Sequence, residues 1–329
     1  MHRSPAPDFP PLVDPTDGRP LREVPEGLSA GGETYPVVGG IPRLVPSAGG
    51  YAAAFGEQWN RWPRTQLDSY TGVPISRTRL LRCLGPELTQ ELSAPDGCVD
   101  VLEAGCGAGR FTEVFLSLPA VRLTSVDLSS AVEANARNFP PDARHRIVQC
   151  DIGRPPFAPG SFEVVMCLGV IQHTPDPERT IENLYRLVRP GGWLVIDHYA
   201  PSLGYWTKVS ALAIRPIVKR LPPKARMRTC EALTSIFFPV HRAFRGSPTA
   251  QKILSRVSPL LTYYHVFPDL GDQHQREWAL LDTHDSLTDW FKHVRSPEQL
   301  RATLAGLGAT SIVAVRGGNG AEARCRKPG

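Results

Sequence analysis

Short apolar runs alternate with stretches of helical spacing through the middle of the chain. Val99, Val101 and Leu102 are followed by a glycine cluster and then by Phe111, Val114, Phe115 and Leu118, which predicts a buried strand, a tight turn and a helix. Residues 121–126, 144–150, 161–167 and 193–197 repeat the apolar run and predict four more strands. Between the last two, Asp176-Pro177-Glu178 reads as an N-cap, a proline at the first helical position and an acidic first turn. Ile181, Leu184, Tyr185 and Val188 then lie on one face, and Arg189-Pro190-Gly191-Gly192 ends the helix. Ser129 or Ser130 is placed to cap an earlier helix that runs to Phe139. Near the end, Ser296-Pro297-Glu298-Gln299 has the spacing of a capping box for a helix through Leu307. Residues 310–315 and 321–325 flank Gly317-Gly318-Asn319-Gly320 as a hairpin. Strands alternating with helices predict an α/β fold with a doubly wound, largely parallel sheet.

Three regions stand outside that alternation. Residues 1–50 are rich in Pro and Gly with short apolar pieces, and read as a small β-rich appendage. Residues 51–62 (Y-A-A-A-F-G-E-Q-W-N-R-W) predict an aromatic-rich helix, followed by an amphipathic run from Ser76 to Leu92. Residues 201–295 separate the fifth strand from the last helix, a length that predicts a lid or binding element with helices of its own. The expected organisation is therefore an appendage over 1–50, a core over 51–200 and 296–329, and a helical insert over 201–295.

Charge changes this picture in one place. The chain of 329 residues carries a net charge of +5, yet residues 204–256 hold eleven Lys or Arg against Glu231 alone, so the remainder is acidic. Within residues 209–221 the cations Arg215, Lys219 and Arg220 share a helix with an apolar face, which suits an acidic or lipid-linked molecule, an anionic membrane surface, or plain solvation. The seven cysteines are scattered and none forms a C-x-x-C pair, so they read as reduced thiols, with neither a disulfide frame nor a zinc cluster. The first residues, M-H-R-S-P-A-P-D-F-P-P, have no apolar core of a secretion signal, and no run of eighteen apolar residues occurs. A cytoplasmic protein is expected.

The chemistry centres on V-D-V-L-E-A-G-C-G-A-G-R-F-T, residues 99–112. Gly105, Cys106, Gly107 and Gly109 let main-chain N–H groups approach a ligand, but Arg110 stands where a nicotinamide-type fingerprint needs its third glycine. An acidic strand end at Glu103 followed by G-x-G-x-G resembles motif I of the class I S-adenosylmethionine-dependent methyltransferases. The resemblance covers about residues 75–200 and 295–327 and implies a Rossmann-like, seven-stranded sheet closed by an antiparallel hairpin, with S-adenosylmethionine as cofactor. It further implies that Asp127, beside Leu128 at the tip of the second strand, takes the ribose hydroxyls. Asp151 and Ile152 would serve the adenine, Leu168 would stand at the fourth strand tip, and Gln58 and Trp59 would close over the methionine end. The early segment resembles the zinc-ribbon proteins that activate tRNA methyltransferases, through Y-P-V-V-G-G-I-P-R-L at 35–44. Asp14 and Asp17 stand where that pattern has thiolates, so no metal is expected.

The acceptor is read by exclusion. Cys167-Leu168-Gly169-Val170 replaces the Asn/Asp-Pro-Pro-aromatic signature of amino-base enzymes, and Cys167 is not followed by the proline of a cytosine C5 enzyme. Nucleic acid is thus disfavoured and a small molecule expected, methylated on O, N or C. His173 and His198, just past the fourth strand and at the end of the fifth, are candidates for a base. Tyr205, Trp206, Asp282, His284, Asp285, Trp290 and His293 are the candidate acceptor contacts, and their spacing matches no common metal site. Two other uses of the same pocket stay open at this level: a cofactor-binding partner without turnover, and a cyclase or isomerase. Oligomeric state is not legible.

Overall fold

The computed structural model describes residues 9–45, 50–94, 97–201, 209–318 and 320–329. The N-terminal part forms β1 (Arg22–Val24), β2 (Gly27–Ser29), β3 (Thr34–Tyr35), β4 (Val37–Val38) and β5 (Ile41–Leu44). Helices α1 (Ala53–Arg61), α2 (Asp68–Thr71) and α3 (Ile75–Leu92) lead into the alternating core. The core runs β6 (Val99–Ala104), α4 (Thr112–Leu116), β7 (Val121–Asp127), α5 (Ala131–Asn138), β8 (His145–Cys150), β9 (Phe162–Cys167), α6 (Pro177–Leu187) and β10 (Val188–Tyr199). Then come α7 (Val209–Val218), α8 (Pro223–Ala243), α9 (Pro248–Val257), α10 (Asp272–Thr288), α11 (Pro297–Gly306) and the hairpin β11 (Thr310–Gly317) with β12 (Gly320–Arg326).

The sheet has the order β11-β12-β10-β9-β6-β7-β8-β5-β4, so the chain reverses direction across the sheet between β6 and β9. In open α/β sheets a ligand crevice lies beyond the strand ends at such a switch point. Neighbouring residues on one strand fall into cores on opposite faces, as the two-residue period requires. Leu102, Val165 and Leu194 join the core under α6 and α11, while Val101, Val164 and Val195 join the one under α3 and α4. The capping box at Ser296 is formed, and the Asp176 carboxylate accepts from the Arg179 amide at 3.0 Å. On α5 it is the Ser129 hydroxyl that accepts from the Ala131 amide, at 3.2 Å.

Three expectations are corrected in detail. The sheet has nine strands, not seven, because β5 adds in parallel to β8 (Arg43 opposite Gln149, Leu44 opposite Cys150) and brings β4 with it. Without them β8 would leave a bare edge, and Ile41 and Leu44 are buried against Ile147 and Cys150. The R-P-G-G turn does not precede the fifth strand but lies inside β10, where the register with β9 shifts between Val188 and Trp193. The amphipathic run 76–92 is kinked at Gly85, whose φ of 75° precedes Pro86. In the early segment Asp14 accepts from the Thr16 amide and the Tyr35 hydroxyl, and Asp17 pairs with Arg19. The likeness to zinc ribbons rests on the sequence pattern alone.

Helices α7 to α10 pack as a cluster around α10, which also meets α1. Trp278 on α10 joins Ile75 and Leu270 in a small core that fixes this cluster over the strand ends.

Candidate active site

A cavity of about 970 Å³ lies between the carboxyl ends of the strands and the helical cluster. Its floor is the loop after β6. Gly105 and Cys106 both donate to the Val126 carbonyl, at 2.7 and 2.9 Å, which holds the loop against β7. Gly105 has a φ of 81°, and a side chain there would meet Val170 at 2.2 Å, so only glycine fits. Asp127 ends β7 and lines the cavity. Its Oδ1 accepts from the Ser129 amide and hydroxyl (2.8 and 2.7 Å) and its Oδ2 from the Gly107 amide at 3.0 Å. Burial raises its pKa, outweighing those bonds. Trp59 lies over Gly107, with its ring 3.1 Å from where a Cβ would stand.

Gln58 is held from behind by His284, whose Nδ1 is 2.9 Å from its Oε1, and burial pushes the His284 imidazole down to about 4. Glu103 lies beneath the loop, its Oε2 accepting from Thr112 (2.6 Å) and Ser125 (2.9 Å). Burial pushes its carboxyl up to about 7. Asp151 accepts from the Gly153 amide at 2.7 Å, and it bears on the cavity through Tyr51, whose hydroxyl burial and the charges of Asp151 and Asp127 keep protonated. Cys106, Leu128, Ile152, Leu168 and Gly169 complete this half.

The opposite wall is ionic. His173 Nδ1 is 3.1 Å from the Phe291 carbonyl and 3.3 Å from an Asp289 oxygen, while Nε2 takes no partner among the described residues. Burial alone would lower the His173 pKa, but the charges of Asp285 and Asp289 outweigh it and hold the imidazole above its ordinary value. Asp289 is buried and also bound by Arg215 (2.9 Å) and Lys292 (3.4 Å). Together with His173 these cations hold its carboxyl low against the effect of burial. Asp285 has no such cage: burial raises its pKa, and Oδ1 is buried without a partner. One ligand atom from each of His173, Asp285 and Asp289 lies within 4.8 Å of the others, a proximity that their sequence spacing did not disclose.

Between the halves runs a chain of polar contacts. Tyr263 donates to Asp282, Gln66 donates to the other Asp282 oxygen at 3.3 Å, and Arg110 donates to Gln66 at 3.1 Å and to Ser76 at 3.0 Å. Burial first, and then the charge of Asp285, lifts Asp282 to about 6 despite the Tyr263 bond. Arg110 lies against the rings of Phe111 and Trp278 and has no carboxylate in ion-pair range among the described residues; burial and Arg79 bring it down to about 10. Arg79 itself is paired with buried Asp197, which also accepts from the Gly169 amide.

Residues 102–196 match the family model of a methyltransferase domain. The chain is 32% identical over 147 residues to a protein of Thiobacillus denitrificans named ubiquinone biosynthesis O-methyltransferase, covering 43% of this chain and 59% of that one. A Pseudomonas aeruginosa protein of the same name is 36% identical over 100 residues, 30% of this chain and 43% of the relative. The chain thus spans about half the length of these curated relatives. Residues 102–196 thus form an S-adenosylmethionine-dependent methyltransferase domain. Human N-acetylserotonin methyltransferase, solved with S-adenosylmethionine, aligns at 14% identity over 84% of this chain and 57% of that one, with a TM-score of 0.45.

The site suits the methyltransferase cofactor on this structure's own terms. Gly105 and Gly107 keep the floor open to main-chain approach, Asp127 brings a carboxylate to the cavity, and Arg110 offers a half-buried cation with no carboxylate in ion-pair range among the described residues.

Of the residues singled out in the sequence, the cavity brings together Gln58, Trp59, Gly105, Cys106, Gly107, Asp127, Leu128, Ile152, Leu168, His173, Asp282 and Asp285. It does not bring Glu103, Gly109, Asp151, His198, His284, Trp290 or His293 to its lining. Gly109 turns at φ 100° with its backbone against Phe139. His198 is wholly buried beside the hairpin strand β12, with burial holding its imidazole down at about 4. Its position at a strand end gave no hint of which face it takes. His293 stacks on Phe291 and Trp290 lies exposed under Lys219. Tyr205 and Trp206 lie outside the described residues.

Sequence reading missed Tyr199, Tyr263, Trp278 and Lys292, and it saw Arg215 only as one cation of an amphipathic helix, not as a partner of Asp289. Arg110 was visible as the departure from G-x-G-x-x-G, but its half-buried position beside Gln66 and Ser76, with no carboxylate in ion-pair range among the described residues, was not.

Proposed function

We propose that the protein transfers the methyl group of S-adenosylmethionine to an oxygen of a small-molecule acceptor held beneath the insert 201–295. The observation that carries this reading is that His173, backed by Asp285 and Asp289, opens on the same cavity as Asp127 and the Gly105–Gly107 loop. When bound, the cofactor supplies a methyl group on a sulfonium, which is already activated and needs no acid. Asp127 would hold the ribose hydroxyls, Tyr51 and Ile152 would flank the adenine, and Arg110 would face an anionic group such as a carboxylate.

The work left to the chain is to orient the acceptor and take its proton. His173 Nδ1 is occupied by the Phe291 carbonyl and Asp289, which directs Nε2 to receive a proton from an acceptor hydroxyl. The two carboxylates then stabilise the imidazolium that forms. Tyr199, edge-on to His173 with centroids 5.4 Å apart, and Phe55 at 5.1 Å narrow the approach to the ring. The names of the curated relatives support an oxygen acceptor. The reading keeps the protein on the cytoplasmic side and takes the basic insert as the face through which it meets its acceptor.

Calorimetry with S-adenosylhomocysteine, followed by turnover assays on hydroxylated aromatic and aliphatic compounds with demethylated cofactor as the readout, tests the reading. Micromolar binding and hydroxyl-dependent turnover are expected. Failure to bind S-adenosyl compounds would sink it. Binding with turnover only on amines would replace the oxygen acceptor by nitrogen.

A further inference from the structure

Nine of the twelve large apolar side chains exposed among the described residues lie between 212 and 290. They are not scattered. Ile236, Val240 and Phe244 recur at four-residue spacing along the outer face of α8, at 63%, 41% and 51% exposure. Ile253 and Val257 make the same spacing on α9, and Ile217 stands 67% exposed on α7. Scattered single exposures need no cause, but stripes on two successive helices with Ile217 exposed on the helix before them mark a surface that meets something apolar.

The charge around these stripes is mostly positive. Arg215, Arg226 and Arg242 are held in ion pairs with Asp289, Glu57 and Asp272. Arg220, Lys224, Arg228, Arg245 and Lys252 are exposed and have no acidic partner among the described residues, and the only acidic residue from 204 to 256 is Glu231. A second copy of this chain would bring cation against cation. A nucleic acid would match the charge and leave the apolar stripes in water.

We propose that α7, α8 and α9 form a docking face for an anionic lipid surface, lying on the bilayer with Ile236, Phe244 and Ile253 in the acyl boundary and the basic side chains among the headgroups. Apolar and basic residues sharing a helical surface are what interfacial binding needs. No helix among the described residues is long and apolar enough to cross a membrane, so the contact is peripheral. Trp290, 44% exposed with the Lys219 ammonium 5.3 Å from its ring, suits the headgroup level.

The position of this face relative to the cavity gives it a use. Leu212 and Val266 are both exposed and cavity-lining, so the cavity opens at α7, one of the three helices of this face. An acceptor with an apolar tail would enter there directly from the membrane. That extension rests on the methyl-transfer reading, whereas the docking face itself does not.

Vesicle flotation of the purified full chain decides the matter, with phosphatidylcholine alone and with about one-third phosphatidylglycerol. Each basic side chain near an anionic leaflet is worth roughly fivefold in partitioning. Binding to the anionic vesicles should exceed binding to the neutral ones by at least about tenfold and fall as salt screens the charges. The triple variant Ile236→Ser, Val240→Ser, Phe244→Ser should lose about tenfold or more at unchanged charge. Lys224→Glu with Arg228→Glu should do the same through charge. Both variants should keep the wild-type melting temperature and affinity for S-adenosylhomocysteine. Wild type that ignores both vesicles, variants that bind like wild type, or binding to duplex DNA that survives the apolar variant would each overturn the proposal. So would a dimer that the apolar variant converts to monomer. Loss of S-adenosylhomocysteine binding by the wild-type chain would instead strike the methyl-transfer reading and leave the docking face standing.

Discussion

The two halves of the cavity are built by opposite means. The floor is made of strand ends and a glycine loop, and its one cavity-facing carboxylate, Asp127, is held by main-chain amides at Gly107 and Ser129 and by the Ser129 hydroxyl next door. The far wall is made of side chains from β10, α7, α10 and the segments around them. There Asp282 and Asp289 are held by Tyr263, Gln66, His173, Arg215 and Lys292, which come from five separate parts of the chain, while Asp285 stands between them with a buried oxygen that has no partner among the described residues. A site held by backbone is tolerant of what surrounds it, because the bonds come with the turn. A site held by buried side-chain charges depends on every partner, since removing one leaves its mate desolvated and uncompensated. The floor should therefore fail locally, in cofactor affinity, and the wall should fail in rate, pH response or stability.

The largest effect should come from the wall. His173→Ala should lower methyl transfer about 10²–10⁴-fold, the range for a positioned base, while affinity for S-adenosylhomocysteine stays within about twofold. A comparable loss in cofactor affinity would erase the distinction between the halves. On the floor, Asp127→Ala should weaken S-adenosylhomocysteine about ten- to hundredfold by calorimetry with little change in melting temperature. Unfolding of this variant would show that the glycine loop also leans on that carboxylate for its shape.

His284→Ala spans the two halves, because it removes the group that holds Gln58 over the floor. A loss of about 1–3 kcal/mol in denaturant stability, with a smaller loss of cofactor affinity, is expected from leaving a buried amide unpaired. Unchanged stability would mean that solvent replaces the imidazole without cost.

Two pH experiments sharpen the comparison further. Asp285 is the leading charge that holds the His173 pKa above 6.5, so Asp285→Asn should move the acidic limb of the pH–rate profile to lower pH. Movement in the other direction would remove His173 from the reaction. Asp282 is raised in the fold from 3.8 to about 6, so its protonated form is the one the fold favours. Its contribution to stability is present below pH 3.8 and is lost as pH rises through about 6. Wild type should therefore lose stability over that window, and Asp282→Asn should flatten the slope. A slope unaltered by the substitution would assign the titration to other groups, Glu103 first, since its carboxyl is raised to about 7.

The residues that could be read in advance are those whose role follows from local backbone. The strand before Gly105, the helix after it, the Asp176 cap, the Ser296 capping box and the terminal hairpin all follow from spacing within a dozen residues, because turn chemistry and side-chain period act over that range. Asp127 was legible as the acidic tip of a strand next to the glycine loop, and it lines the cavity. What spacing left undecided was everything that depends on a partner far along the chain. It placed His198 and His284 beside the acceptor, whereas packing buries one beside the hairpin and turns the other onto Gln58, 226 residues away. It gave no warning that Ile41–Leu44 would extend the sheet, since only β8's open edge makes that strand favourable. The charges of Arg215 and Lys292, the ring of Tyr263 and the unpaired guanidinium of Arg110 acquire their meaning from burial in a common space. Burial is a property of the assembled chain: the free energy of each of those groups is set by which other groups share its low-dielectric surroundings, and no local pattern carries that information.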